Sequence, residues 1–338
     1  MKKIFMGLVL FLSACSQTIE PEVKDVEEVE EVIEVNPIDA IDLSLKPDET
    51  GEIMVLMYHS ISTEEGDWAR TVDNFKKDLQ TLYEEGFRPI SLTDFIEGNI
   101  TTEAGYTPVV LTFDDGRLDN FKLLEDGSID PECAVGVLVN FHETHPDFPL
   151  EASFFLTGSN IFGQSKLIEE KLNMILDLGM DLGNHTMDHP NFKDIKDVDS
   201  IQYQLGGMAS KIESYLHSDY KINTLALTYG SKPKDEALMK YMVSGTYNDI
   251  PYENITLLKV GSNPADSPYV SSFDPLNVPR VRASEMNTDG VGLYDYLRRY
   301  TNYPDKKFIS DGNANIITIP SHKEELLNPN LERQIYAY

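Results

Sequence analysis

The sequence has few cysteines, few positive charges and no apolar run of membrane-spanning length near its start. Cys15 and Cys133 are the only cysteines in 338 residues, so the fold must depend on its core rather than on internal disulfides. Lys and Arg number 28 against 57 Asp and Glu, a formal charge of −29. Such a charge repels nucleic acid phosphates, and we expect no nucleic-acid partner. The apolar residues 4–12 are too few to cross a membrane as a helix.

The first fifteen residues instead have the layout of an export signal. Lys2 and Lys3 precede the apolar run, and a Leu-Ser-Ala-Cys string ends at Cys15, an order typical of a signal peptide. The string resembles the lipobox of bacterial lipoproteins, which implies cleavage before Cys15 and lipid on its sulfur. We therefore expect an extracytoplasmic protein, lipid-anchored to the bacterial membrane. The alternative is an ordinary secretory signal that happens to contain a cysteine.

Residues 16–50 differ in composition from the rest of the chain. They carry twelve acidic residues, two lysines and no aromatic residue, which favours a solvated, self-repelling linker. The chain as a whole is 41% hydrophobic, as a folded protein requires. We predict a signal peptide over 1–15, an acidic disordered tether over 16–50 and one folded domain over 51–338. Within that domain Cys133 is expected to be a buried apolar side chain rather than a catalytic thiol.

Short apolar runs alternate with helical patterns along this domain. Their spacing predicts helices at 75–83 and 171–178, and strands at 53–59, 89–92, 109–113, 152–156, 180–183, 225–227 and 316–319. Apolar runs of this length are typical of parallel strands buried on both faces, and their alternation with helices indicates an α/β fold. Because no glycine-rich dinucleotide loop is present, we expect a closed parallel (β/α) barrel.

Two adjacent carboxylates follow the predicted strand at 109–113. Asp114 and Asp115 lie at its carboxyl end, before Gly116, and (β/α) barrels place their active sites at that end. Neighbouring carboxylates repel each other unless a cation or a shared proton relieves them, and a divalent metal is a common solution. A polar Asp-Asp-Gly turn without chemistry is the alternative for this motif taken alone.

Two of the seven histidines, His185 and His189, lie four residues apart and are followed by Pro190. This spacing puts both imidazoles on one side of a helical turn, and imidazole binds zinc and other first-row metals. Two histidines with one carboxylate leave coordination positions open, as a catalytic metal requires. Taken alone, a pair of surface histidines explains the motif at least as well.

Together the two motifs resemble a known family. TFDDG at residues 112–116 and His-x-x-x-His-Pro at 185–190 are similar to motifs of the polysaccharide deacetylases, the NodB-homology group or carbohydrate esterase family 4. The strand at 153–156 and the Met-Tyr-His string at 57–59 also resemble that family. The resemblance extends over residues 53–319. It implies a distorted (β/α) barrel that forms a single catalytic domain.

The resemblance also assigns roles to individual residues. Asp115, His185 and His189 would hold a divalent metal, zinc first and cobalt or another first-row metal otherwise, and Asp114 would be the general base. The implied reaction removes N-acetyl groups from an N-acetylglucosamine-containing polysaccharide, either peptidoglycan or an exopolysaccharide at the cell envelope. Two alternatives stay open: an O-acetyl esterase that acts on a glycan, and a non-catalytic carbohydrate-binding protein with the same fold.

The third motif of the family is altered in this chain. Residues 227–230 resemble it, but Thr228 stands where proline is usual and the motif's arginine is missing. The backbone N–H of Tyr229 can still serve as an oxyanion donor, because this role depends on main-chain geometry. Tyr229 and Arg282 are predicted to contact the substrate. An arginine within residues 278–282 could replace the missing one, and a structural or solvated arginine is the alternative.

The last motif of the family places a histidine directly after an apolar strand, as general acid. Here His322 follows the strand at 316–319 a few residues late. His322 is the predicted acid, with a loop histidine as the alternative. His59, at the end of the first strand, is a second candidate, and Asp114 itself could protonate the leaving amine.

Overall fold

The computed structural model describes residues 36–338. Its strands are β1 (Met54–Tyr58), β2 (Ser60–Ser62), β3 (Ala69–Thr71), β4 (Phe87–Pro89), β5 (Thr107–Phe113), β6 (Ser153–Leu156), β7 (Asp181–Asn184), β8 (Thr224–Ala226), β9 (Ser244–Tyr247), β10 (Ile250–Glu253), β11 (Thr256–Leu258), β12 (Val281–Arg282), β13 (Ile316–Ile319) and β14 (Gln334–Ala337). Its α-helices are α1 (Val72–Glu84), α2 (Leu92–Glu97), α3 (Ala134–Thr144), α4 (Ile168–Asp177), α5 (Val198–Gln202), α6 (Met208–Glu213), α7 (Lys240–Val243) and α8 (Leu293–Asn302).

Eight of these strands form one curled parallel sheet. Their order is β11-β8-β7-β6-β5-β1-β12, and β4 pairs with the first residues of β5. One segment, residues 278–282, bridges the two edges of the sheet: Val278 pairs with Leu258 of β11, and Val281 pairs with Leu56 of β1. The distorted (β/α) barrel and the single domain predicted from the sequence are confirmed.

The central strands are buried on both faces, as their apolar runs predict. Every residue of β1 and β5 is buried, and the two strands pair in register, with Leu56 opposite Leu111. Alternate side chains of a strand face opposite sides of a sheet, so β1 contributes to two cores. Met54 packs in the cluster under the helices, whereas Val55 belongs to a second cluster on the other face. This double burial fixes the carboxyl end of each strand.

Two predicted strands differ from what the structure shows. The strand predicted at 89–92 ends at Pro89, because the Ser91 hydroxyl accepts a bond from the N–H of Asp94 and caps α2. The strand at 316–319 exists as β13, but it pairs with β14 in a separate sheet. The predicted helix at 171–178 corresponds to α4, and α3 lies in a connection for which the sequence analysis predicted no helix.

Some described residues before position 51 pack into the folded domain. Residues 1–35, with the predicted signal peptide, Cys15 and most of the predicted tether, lie outside the described residues. Glu49 is buried, and its carboxylate accepts from the N–H of Thr318 at 2.9 Å, while Asp48 pairs with Lys323 at 2.5 Å. The folded domain therefore begins a few residues before the predicted boundary at 51. Among residues 36–338, no helix has both the length and the apolarity to cross a membrane.

Candidate active site

A cavity of about 390 Å³ opens at the carboxyl ends of the central strands. The polar residues of both sequence motifs meet there, because β1, β5, β7 and β8 run parallel and end at the same rim. The cavity is lined by His59, Trp68, Asp114, Asp115, Arg117, His185, His189, Leu227, Tyr229 and Val260.

The turn after β5 separates the two adjacent carboxylates. Asp115 and Gly116 both have positive φ, +75° and +59°, so the chain reverses at once and the two side chains diverge. A Cβ at Gly116 would lie 2.5 Å from the carbonyl oxygen of Asn160, which only glycine avoids. Asp114 is 1% exposed, whereas the side chain of Asp115 is 20% exposed and lies at the cavity wall.

Asp115, His185 and His189 form a compact group of metal-ligating atoms. The Nε2 atoms of both histidines lie 3.6 Å from Oδ1 of Asp115, and the ligand atoms of the three residues all lie within 4.8 Å of one another. Nδ1 of His185 donates to the carbonyl oxygen of Ala226 at 2.9 Å. This bond fixes the tautomer and leaves Nε2 free to bind a metal. Two imidazole nitrogens and one carboxylate oxygen fit zinc or another first-row cation.

Asp114 is held by Arg280, one of the two arginines in residues 278–282 that could replace the missing motif arginine. Arg280 is fully buried, and its Nη1 and Nη2 donate to the two carboxylate oxygens of Asp114 at 2.8 and 2.7 Å. Its Nε donates to the carbonyl oxygen of Lys259, and Nη1 also reaches Oγ1 of Thr112. Burial by itself would raise the pKa of Asp114, but the guanidinium of Arg280 and the imidazole of His185 lower it.

The sequence contains only a weak signal for Arg280. It lies in the segment that bridges the two edges of the barrel, where either Arg280 or Arg282 could replace the missing motif arginine, and Arg282 was predicted separately to contact the substrate. Successive residues of an extended chain point to opposite sides, so Arg280 and Arg282 share a face. Arg280, which precedes β12, is the one that lies beside Asp114 and Thr112.

Arg282 does not line the cavity, contrary to its predicted role in contacting substrate. Its Nη2 donates to the carbonyl oxygen of Asp67 at 2.9 Å, and Nη1 donates to that of Asn287 at 3.2 Å. Its guanidinium carbon lies 4.5 Å from the ring centroid of Trp68. Trp68 does line the cavity, so Arg282 supports a wall residue and any effect on substrate is indirect.

His59 lies beside Asp114, at the end of β1. Its Nε2 is 3.9 Å from Oδ2 of Asp114, and its ring centroid is 4.8 Å from that of Trp68. Burial lowers the pKa of His59 to about 4, against the opposing effect of Asp114 and Asp115. The ring is therefore neutral at neutral pH.

His322, the predicted acid, does not reach this site. It is exposed in a 3-10 helix, Ser321–Leu326, and is not among the residues that line the cavity. The physical reason is the pairing of β13 with β14 outside the main sheet, which ends the strand away from the carboxyl rim. Between the two histidines that the sequence analysis weighed as acids, only His59 is next to the base.

The altered third motif keeps its position in the site. Tyr229 has a φ of +55°, lines the cavity and is 66% exposed, and its ring lies 4.8 Å from that of His189. The hydroxyl of Thr228, which replaces the usual proline, donates to the carbonyl oxygen of Pro190. Thr228 therefore ties the motif to the loop that carries the two histidines.

Comparisons with known proteins agree with this fold and site. The sequence model of the polysaccharide deacetylase family matches residues 102–244, a shorter span than the resemblance over 53–319. YxkH of Bacillus subtilis (strain 168), assigned as a polysaccharide deacetylase, is 23% identical over 150 residues, 43% of this chain and 46% of that protein. The match thus spans less than half of that relative.

Two solved structures share the fold. BA0330 from Bacillus anthracis, also assigned as a polysaccharide deacetylase, aligns with a TM-score of 0.54 and 18% identity over 74% of this chain and 68% of that one. The Streptococcus pyogenes deacetylase PplD, in complex with acetate, aligns with a TM-score of 0.52 and 17% identity over 70% of this chain and 95% of that one. The family match over residues 102–244 includes the Asp-Asp and His-His motifs, so this part of the chain is similar to the polysaccharide deacetylases.

Proposed function

We propose that this protein is a metal-dependent hydrolase that removes N-acetyl groups from an N-acetylglucosamine-containing polysaccharide, peptidoglycan or an exopolysaccharide. The observation that supports this most directly is the pairing of a buried, arginine-held carboxylate with a neighbouring set of three metal-ligating side chains. Asp114 accepts from Arg280 through both oxygens, and Asp115 lies 3.6 Å from the two histidine nitrogens. One carboxylate serves as base while the other is available as a ligand.

The donor set fits a divalent cation. Asp115, His185 and His189 would hold it, and zinc or another first-row metal suits two imidazoles and one carboxylate. When bound, such a cation supplies Lewis acidity to the acetyl carbonyl and to a water molecule in the cavity.

Asp114 takes the proton of the attacking water on a carboxylate oxygen. Its bonds to Arg280 keep it ionised and fix its plane, so little reorganisation is needed when the proton transfers. The ring of His59 is neutral at neutral pH, and its Nε2 lies 3.9 Å from Asp114. It is therefore in position to accept the proton that Asp114 takes from the water and to relay it to the leaving amine. His59 thus replaces His322 as the proposed donor to the leaving amine.

We assign stabilisation of the oxyanion to a main-chain N–H of the altered third motif. Among the hydrogen bonds of residues 36–338, the backbone N–H of Tyr229 donates to no other residue, and Tyr229 lies on the cavity wall. A backbone N–H in a fixed turn can stabilise developing negative charge on the acetyl oxygen. PplD, a deacetylase with the same fold, was solved in complex with acetate, the product that such a reaction releases.

The cellular location remains part of the proposal. The lipobox-like string that ends at Cys15 and the acidic residues after it support lipid anchoring to the outer side of the bacterial membrane. The domain would then lie at the cell envelope, where peptidoglycan and exopolysaccharides are within reach.

The deciding experiment measures acetate release by the purified protein. N-acetylglucosamine oligomers, peptidoglycan and an O-acetylated xylan are offered with a chelator, with added zinc and with added cobalt. We expect metal-dependent acetate release from the N-acetylated substrates. Acetate release from the O-acetylated xylan alone would indicate an O-acetyl esterase instead of the proposed N-deacetylase. No acetate release from any substrate by folded, metal-loaded protein would indicate a carbohydrate-binding protein.

A further inference from the structure

The only tryptophan of the chain lies at the mouth of the candidate active site. Trp68 is 45% exposed and lines the cavity beside His59. The other residues that line this cavity include two carboxylates, three imidazoles and a guanidinium. A large ring that is half exposed in such polar surroundings offers an apolar contact surface that neither the base nor the metal group uses.

The loop that carries Trp68 is held in place before any ligand binds. Three consecutive carbonyl oxygens in it each accept a hydrogen bond: that of Gly66 from Ser284 Oγ at 2.8 Å, that of Asp67 from Arg282 at 2.9 Å, and that of Trp68 from the N–H of Ser60 at 3.1 Å. A ring that is already ordered loses little conformational entropy on binding. The loop therefore acts as a preformed wall.

The ring itself is supported from a second side. The guanidinium carbon of Arg282 lies 4.5 Å from the centroid of Trp68, in the range of a cation–π contact. His59 contacts the same ring at 4.8 Å between centroids. Arg282 is thus a positioning residue that acts through Trp68, which explains its place behind the cavity wall.

A second exposed aromatic ring stands across the cavity. Tyr229 is 66% exposed and contacts His189, while Trp68 contacts His59. His59 follows β1 and Tyr229 follows β8, and three strands, β5, β6 and β7, separate these two in the sheet. With strands about 4.8 Å apart, the two rings lie on different walls, and Asp114 and Asp115 lie between them.

We propose that Trp68 is a stacking platform for the pyranose ring of an amino sugar that has equatorial substituents, within an oligosaccharide chain. The inference rests on the proposed deacetylase function and specifies its substrate class. Such a pyranose presents a flat face of C–H groups, whose partial positive charge matches the negative face of an indole ring. Stacking on Trp68 would hold one sugar of the chain at the wall next to Asp114.

Because the chain has a single tryptophan, its fluorescence reports on this site alone. The probe is the β-1,4-linked tetramer of N-acetylglucosamine, titrated into zinc-loaded Asp114→Asn protein, which binds without turnover. We expect a saturable change in tryptophan emission. Binding of the tetramer detected by calorimetry without any change in emission would overturn the platform.

Kinetics on the tetramer provide the second test. Trp68→Ala should lower kcat/KM for acetate release roughly 10- to 100-fold, mostly through KM, whereas Trp68→Phe should restore most of it. Tyr303→Ala is the control, because it removes a ring that is 60% exposed and does not line the cavity. Its kcat/KM should equal that of the unchanged protein. Equal kcat/KM for Trp68→Ala and the unchanged protein would contradict the inference.

Acetate release and tryptophan emission together distinguish failure of the stacking proposal from failure of the proposed deacetylase function. If the unchanged protein releases acetate and Trp68→Ala does so equally well, the platform is refuted and the deacetylase stands. If no substrate yields acetate but the tetramer still changes the emission of Trp68, the sugar site stands and the deacetylase is refuted.

Discussion

Arg280 donates to both carboxylate oxygens of Asp114, although 166 residues separate the two in the chain. Both side chains are buried, at 0% and 1% exposure. A buried ion pair is tolerated when both partners are fully hydrogen-bonded, and the further bonds of Arg280 to Lys259 and Thr112 meet this condition. The base is therefore positioned by the segment that bridges the barrel edges.

Removing Arg280 should damage both folding and catalysis. Arg280→Met leaves the carboxylate of Asp114 buried without its partner, at a cost of about 3–5 kcal/mol in unfolding free energy. Arg280→Lys keeps the charge but loses the paired geometry, and we expect kcat/KM to fall on the order of 100-fold. Chemical denaturation and acetate release measure the two effects. Arg298→Met, at an exposed arginine, is the control, and similar losses there would refute the argument.

Measuring bound zinc distinguishes the role of Asp114 as base from the role of His185 as metal ligand. Asp114→Asn should retain zinc, because Asp114 is held by Arg280 outside the ligand group, yet lose most turnover. His185→Ala should lose both zinc and turnover, since it removes one of three donors. Elemental analysis after dialysis, with parallel activity assays, checks both. Retained activity in Asp114→Asn would contradict its assignment as the base.

Substitutions of His59 and His322 should have different effects on turnover. His59→Gln should lower kcat by about 10²- to 10⁴-fold, the usual effect of losing a group that transfers the proton, because His59 lies beside Asp114. His322→Gln should leave kcat unchanged, since His322 is exposed outside the cavity. Single-turnover acetate release by both variants decides between them. The reverse pattern would return the role to His322.

Gly116 should not tolerate a side chain. In Gly116→Ala the new Cβ would lie 2.5 Å from the carbonyl oxygen of Asn160, so the turn must shift and Asp115 must move with it. Gly127→Ala is a matched control, because Gly127 also has a positive φ, +84°, but has no atom within 4 Å of the new Cβ. We expect Gly127→Ala to cost about 1 kcal/mol in stability with zinc binding intact. Gly116→Ala should also weaken zinc binding, which calorimetry measures.

Glu151 should make the fold less stable as pH rises. Burial, together with Asp181 and Asp94 nearby, raises its pKa from 4.5 to about 7, and its Oε2 is buried without a hydrogen-bond partner in the described part of the chain. The folded state then holds the proton more tightly than the unfolded state, so stability decreases between about pH 4.5 and 7.

Glu151→Gln removes this titration and should flatten the decrease, with a higher melting temperature than the unchanged protein at pH 8. Melting curves at pH 5, 6, 7 and 8 test this, with Glu253→Gln as an exposed control. If Glu151→Gln melts below the unchanged protein at pH 8, burial of this carboxyl is not destabilising.

The sequence by itself determined the class of fold and the motifs of the site. The apolar runs of β1 and β5 predicted strands buried on both faces, and the two carboxylates after β5 were expected at the carboxyl rim. His185 and His189 are neighbours, as predicted, with ring centroids 5.0 Å apart. The helical turn expected from their spacing is wrong, because they lie in a loop in which Thr186 and His189 have positive φ.

Only the tertiary structure decided which distant residues complete the site. Arg280 reaches Asp114 because residues 278–282 bridge the edges of the barrel, and no local pattern distinguishes it from Arg282. His322 lies away from the cavity because β13 pairs with β14 outside the main sheet. Strand pairing between residues far apart in sequence depends on the packing of the whole core, whereas local periodicity records only which face of each element is buried.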